Sequence, residues 1–270
     1  MIRVRLHAPI AVQAAVLVAA LAGCAAPGPD ALPAAREPTT ASDQTDADRR
    51  ARVRLELATA YYSRGQFDTA LDELKLSLAV KPDQAEAYNL RGLVYAALGD
   101  AAVAEASFRR ALQINPRDAD AMHNYGWFLC QQQRVPESVA QFGQALEQPQ
   151  YRGAARTLTA RGLCQARAGQ WMEAEGSLMR SYELDPSSPA TAMNLTEVLY
   201  RRAEYERARF YIGRVNSQAS SANAQTLWLA ARIERKLGDI PRMRTLGDQL
   251  RARFPQAPEA QAYERGQFDD

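Results

Sequence analysis

The chain has 270 residues, of which 47% are hydrophobic and 24% charged, with 15 glycines and 14 prolines. This balance excludes a collagen-like chain, a disulfide-dense mini-protein and a polytopic membrane protein, and leaves one globular domain of ordinary polarity or an array of repeats. Basic residues number 33 against 31 acidic ones, and residues 1–23 contain Arg3 and Arg5 but no acid. Without that segment the chain is neutral, which argues against nucleic acid as a partner because phosphate binding needs a positive excess.

Arg3 and Arg5 precede an apolar run over residues 10–20. The run is too short to cross a bilayer as a permanent helix and has the length of the hydrophobic part of an export signal, so residues 1–23 read as a signal peptide. Leu21, Ala22, Gly23 and Cys24 follow one another at its end. These four resemble the bacterial lipobox, which implies a lipoprotein signal with Cys24 as the acylated residue. In such lipoproteins the residue after the cysteine influences sorting. Ala25, in place of the aspartate of inner-membrane retention, implies the periplasmic face of the outer membrane. Each buried acyl methylene contributes about 0.8 kcal/mol, enough over several chains for a lasting anchor. Residues 24–48 then carry Pro27, Pro29, Pro33 and Pro38 among alanine, threonine and acidic residues without apolar periodicity, and read as a tether.

Beyond the tether an internal period dominates. Pro82, Pro116, Pro186 and Pro255 are spaced by 34, 70 and 69 residues, and Gly65, Gly99, Gly169 and Gly238 keep the same spacings. Two residue types in one register define units starting at residues 51, 85, 119, 155, 189 and 224. Small residues recur at the eighth position (Ala58, Gly92, Gly126, Gly162, Thr196, Ala231) and mostly at the twentieth (Ala70, Ala104, Ser138, Ala174, Ala208, then Met243). They let two antiparallel helices approach closely, and the glycine at the fifteenth position ends the first of them.

The pattern resembles the tetratricopeptide repeat. In residues 85–118 Tyr88, Gly92, Tyr95, Gly99, Ala104, Phe108, Ala111 and Pro116 stand where that repeat expects them. Arg91 and Arg161 depart at usually apolar positions, Gln133 replaces the turn glycine and Gln150 the proline of unit three, and Met243 and Gly247 make unit six atypical. The resemblance implies an all-α fold: a right-handed superhelical solenoid of about six helix-turn-helix units over residues 51–257, with a carboxy-terminal segment over 258–270 and an altered connection after unit three.

In this repeat family the second, fifth, ninth and twelfth positions of each first helix line a concave face. Leu55, Tyr62, Leu93, Trp127 and Leu163, with Thr59 among them, therefore form the candidate partner-binding groove, suited to an amphipathic helix or an extended segment. Some of these domains grip a carboxy-terminal carboxylate with lysine, asparagine and arginine. Here those places hold Leu55, Thr59, Leu90, Asp120 and Asn124, so that clamp is missing.

Once Cys24 is acylated, Cys130 and Cys164 form an even pair in an oxidising compartment, on first helices of adjacent units. A disulfide between them is expected; two buried free thiols are the alternative. No catalytic residue and no metal site is read. His123 has no nucleophile or orienting acid placed with it by any motif and reads as a solvated or groove-lining side chain. Asp68, Asp72 and Glu73, Glu204 and Glu206, and the arginines Arg201, Arg202, Arg242, Arg244, Arg251 and Arg253 read as solvated helix faces.

A lipobox, a proline tether, six tetratricopeptide units and a cysteine pair in units three and four together resemble the type IV pilus biogenesis and stability lipoproteins of the PilW/PilF family. The resemblance implies an outer-membrane pilotin that binds the secretin subunit, a PilQ-like protein, and promotes its localisation and multimerisation, with other type IV pilus components as further partners, no cofactor and no enzymatic activity. The alternative is an adaptor for outer-membrane protein assembly or for peptidoglycan enzymes.

Overall fold

The computed structural model describes residues 45–268. Residues 1–23, read from the sequence as a signal peptide, Cys24, and the part of the expected tether up to residue 44 lie outside the described residues. Among the described residues the chain forms thirteen helices and no strand. They pair as α1 (Asp46–Ser63) with α2 (Phe67–Val80), α3 (Ala85–Leu98) with α4 (Ala101–Ile114), and α5 (Ala119–Gln131) with α6 (Val135–Leu146). The series continues with α7 (Ala154–Arg167) and α8 (Trp171–Leu184), α9 (Pro189–Arg201) and α10 (Tyr205–Asn216), and α11 (Ala224–Lys236) and α12 (Ile240–Arg253). A short α13 (Pro258–Glu264) closes the series.

Each first helix touches its own second helix and the next first helix, whereas no second helix touches another. The stack is therefore a solenoid with first helices on the inside of the curve, because the closer-packed side of a stack is its concave side. The hydrophobic core is correspondingly serial. Ala58, Ala70 and Leu74 join Ala87, Leu90 and Val94 across the first two units, Phe108 meets Tyr125 and Phe128 across the next junction, and Leu178 packs with Leu195 and Leu199 further on.

Close approach within a pair depends on the small eighth residue. A Cβ on Gly126 would lie 2.9 Å from the Phe142 ring, and one on Gly92 2.7 Å from Phe108. The larger ring thus occupies the volume that the glycine leaves empty. Unit six inverts this device: the Tyr263 ring of α13 fills the space above Gly247, which explains why a normally large position holds glycine. With Phe268 only 4% exposed against Trp228 and Tyr263, α13 and the residues after it cover the carboxy-terminal end.

Two helix boundaries differ from the sequence reading. Residues 46–48, read as the end of a tether, are helical, because α1 starts at Asp46, ahead of the first position of unit one. Thr45 accepts a hydrogen bond from the Asp48 amide at 3.1 Å, the first turn carries two acids that suit the helix dipole, and Lys81 at 2.8 Å ties Asp48 to the end of α2. Helix α7 begins at Ala154, one residue early. The turn of unit three keeps its shape without glycine, since Gln133 itself takes φ of 60°, as Ala203 takes 59° in unit five. The connection from α6 to α7 is longer than those from α2 to α3 and from α8 to α9.

Candidate functional site

A cavity of about 440 Å³ opens on the concave side between α5, α7 and α9. Trp127 and Leu163, with Ala160, form its apolar wall, and His123, Arg156, Thr159, Asp185, Ser188 and Thr191 supply its polar groups. Of the six groove residues named from the sequence, Trp127 and Leu163 line this cavity. Leu55, Tyr62 and Leu93 instead lie half-buried against the core of units one and two, and Thr59 is exposed, donating to the Leu55 carbonyl at 2.9 Å. Asp185, Ser188, Ala190 and Thr191 were not named. Ala190 occupies the second position of unit five and was legible by the same rule; Asp185 and Ser188 stand in a connection whose course only the packed solenoid reveals.

The walls are fixed by neighbours outside the cavity. Cys130 and Cys164 form a disulfide with Cα atoms 5.7 Å apart, joining α5 to α7 one turn beyond Trp127 on one helix and beside Leu163 on the other. The Arg167 guanidinium carbon stands 5.0 Å from the Trp127 ring centroid, and Cys130, Phe142 and Cys164 pack beneath the indole. On the polar side the Thr159 hydroxyl lies 2.8 Å from that of Ser181 and 3.1 Å from that of Thr191. Thr191 in turn donates to Ser188 at 3.0 Å. Ser181 donates to the Ala155 carbonyl at 2.8 Å. These bonds tie α7 to α8 and α9 through hydroxyls that are satisfied within the protein.

His123 is buried, not solvated, at 8% exposure. Its Nδ1 lies 2.8 Å from the Thr157 hydroxyl, which is also 2.8 Å from the Tyr151 hydroxyl. Burial, and then the nearby Arg156 charge, hold the imidazole down to about 4, with Asp120 opposing. The ring is therefore neutral at physiological pH and serves as a hydrogen-bonding wall. Arg156 and Asp120 pair at 2.6 Å at the mouth. The cavity thus offers a greasy floor, a hydroxyl-lined side and a charged rim, a composition suited to anchoring apolar side chains of a polypeptide while its polar groups meet hydroxyls.

Several members of the acidic and basic clusters read from the sequence as solvated faces form ion pairs. Asp72 pairs with Lys75 at 3.1 Å and Glu73 with Arg54 at 2.9 Å. Arg202 is not merely solvated: it pairs, with Arg207, to the half-buried Glu175, and Arg242 reaches the buried Glu234 that Arg209 also holds. Among the described residues no group of histidine, cysteine and carboxylate side chains has the arrangement of a metal site.

Models of the tetratricopeptide repeat match residues 58–99, 85–118, 107–140 and 129–189. The type IV pilus assembly protein PilF of Pseudomonas aeruginosa is 26% identical over 210 residues, covering 78% of this chain and 83% of that protein. The crystal structure of PilW, a widely conserved type IV pilus biogenesis factor, superposes with a TM-score of 0.71 at 30% identity, covering 79% of this chain and 97% of that one. The structure of Pseudomonas aeruginosa PilF superposes with a TM-score of 0.72 at 25% identity, over 82% of this chain and all of the other.

Proposed function

We propose, from the premise that this chain belongs to the tetratricopeptide-repeat family of type IV pilus biogenesis factors that includes PilW and PilF, that it acts in pilus assembly by binding and without catalysis, as a carrier for the secretin. In this reading Cys24 is acylated and holds the protein at the periplasmic face of the outer membrane. The concave face binds a segment of a PilQ-like secretin subunit, and the bound subunit is delivered to the membrane, where it multimerises. Two linked binding events, lipid to membrane and groove to client, then act as one through effective concentration.

The observation that carries this reading within a pilus-biogenesis family is the cavity between α5, α7 and α9, where Trp127 and Leu163 present apolar surface beside hydroxyls and a charged rim. Aromatic residues in such settings dominate the affinity of peptide interfaces.

The test is co-purification of the secretin subunit, identified by mass, with the tagged chain from detergent-solubilised envelopes. The expected result is capture by the wild type, loss with Trp127→Ala, and capture without outer-membrane secretin multimers in a Cys24→Ser strain. Absence of the secretin from the wild-type capture, or normal multimers in the Cys24→Ser strain, overturns the carrier model. Capture of an outer-membrane assembly factor or a peptidoglycan enzyme in its place supports the adaptor alternative.

A further inference from the structure

The two ends of the solenoid differ. The carboxy-terminal end is closed by α13, whose Ala260 and Tyr263 pack with Leu227 and Leu250, and by Phe268 against Trp228. The amino-terminal end has no such cover among the described residues and exposes four aliphatic side chains: Val53 at 47%, Leu57 at 39%, Leu76 at 47% and Val80 at 36%.

The repeat itself shows what this end lacks. At the third position of a unit, where unit one has Val53, the later units have Ala87, Ala121, Thr157, Thr191 and Thr226, all buried against the unit before. At the twenty-sixth position, where unit one has Leu76, they have Arg110, Gln144, Arg180, Arg214 and Gln249, all exposed. At this last position unit one is apolar where its counterparts are polar, so unit one carries apolar surface beyond that of an unused junction. Helical spacing puts Leu76 and Val80 on the side of α2 opposite Leu74 and Leu78, which pack in the core shared with α1 and α3. Val53 and Leu57 lie together on α1, away from Leu55 and Tyr62, and Val53 occupies a position that every later unit buries, so these two stand on the open end, with Leu76 and Val80 on the exposed side of α2.

The charges along α1 select the occupant. Asp46, Arg50, Val53, Leu57, Ala60 and Arg64 succeed one another at alternating steps of four and three residues, the spacing of a helix-pairing stripe. The stripe is symmetric about position 55. An antiparallel copy of the same helix therefore sets Val53 against Leu57 of the partner subunit, Arg50 against the small Ala60 of the partner subunit, and Asp46 against Arg64 of the partner subunit. Among the described residues Asp46 pairs with Arg49 at 3.2 Å, the two side chains 81% and 57% exposed, a contact that costs little to exchange.

We propose that the amino-terminal end face is a two-fold interface through which a second copy of this chain packs α1 against α1. Val53 with Leu57 matches in apolar character and Asp46 with Arg64 in charge, while Arg50 meets only the small Ala60, and each pair recurs across the two-fold as an isologous contact requires. The inference needs α1 and α2 alone and is independent of which client the concave face binds.

Sedimentation equilibrium of the purified full chain in a density-matched detergent tests it. A reversible dimer is expected, with Leu57→Glu raising its dissociation constant by about tenfold or more while the helical circular dichroism is retained. Asp46→Arg and Arg64→Asp should each weaken the dimer, and the double exchange should restore it. A monomer at every concentration overturns the proposal, as does a dimer indifferent to all of these substitutions. A monomer that instead binds anionic phospholipid vesicles through Leu57, or a Leu57-dependent complex with a different protein alone, reassigns the face and overturns it equally.

Discussion

The Arg167 guanidinium covers one face of the Trp127 indole at 5.0 Å, so the ring is braced from α7 while it lines the cavity between α5, α7 and α9. A braced aromatic loses little freedom when a client binds, which is the condition under which it contributes most to affinity. Trp127→Ala should therefore weaken client binding by about 2 kcal/mol. Arg167→Ala should weaken it by less, through loss of the brace at about 0.5–1 kcal/mol. Calorimetric titration with the captured client segment checks both; equal affinities for wild type and Trp127→Ala in a folded protein would remove the residue from the site.

The disulfide between Cys130 and Cys164 closes a loop with a sequence separation of 34. On the loop-entropy account such a bridge stabilises by about 3 to 4 kcal/mol. Replacing both cysteines with serine should lower the unfolding free energy by about that amount, read from urea titrations. Thiol titration of the denatured wild type without reductant should find neither of these two cysteines free.

Stability should also depend on pH through His123. Its folded pKa, near 4, lies below the 6.5 of an unperturbed imidazole. Well above pH 6.5 the ring is neutral in both states and the group adds no pH dependence. As pH falls from 6.5 towards 4 the unfolded chain takes up a proton that the native site refuses, and stability is lost by up to about 3 kcal/mol. His123→Gln should flatten that part of the curve in denaturation measured at a series of pH values. An unaltered slope would mean that the ring is solvated in the native state.

Close packing at the eighth position predicts a contrast between two glycines. Gly126→Val places a Cβ 2.9 Å from the Phe142 ring and should destabilise by about 1–3 kcal/mol. Gly143→Ala, on a helix with nothing within 4 Å of the added atom, should stabilise by about 0.5–1 kcal/mol through helix propensity. Melting temperatures moving in opposite directions would verify the pair.

The sequence by itself determined the helix pairs and their register, because every unit solves the same packing problem with the same residues: Gly92 and Gly126 are small for the reason that Phe108 and Phe142 are large. It also carried the start of α1, since Thr45 followed three residues later by Asp48 is a capping signature, although the prolines nearby drew the boundary later. The cavity was only half legible. Trp127 and Leu163 followed from their repeat positions, whereas Asp185 and Ser188 enter it from a connection, and periodicity says nothing about where a connection runs. Curvature decided the rest: first helices touch along the inside of the stack and second helices do not, and it is that bend, a sum of many small interhelical angles, that converts positions on three separate helices into one concave site.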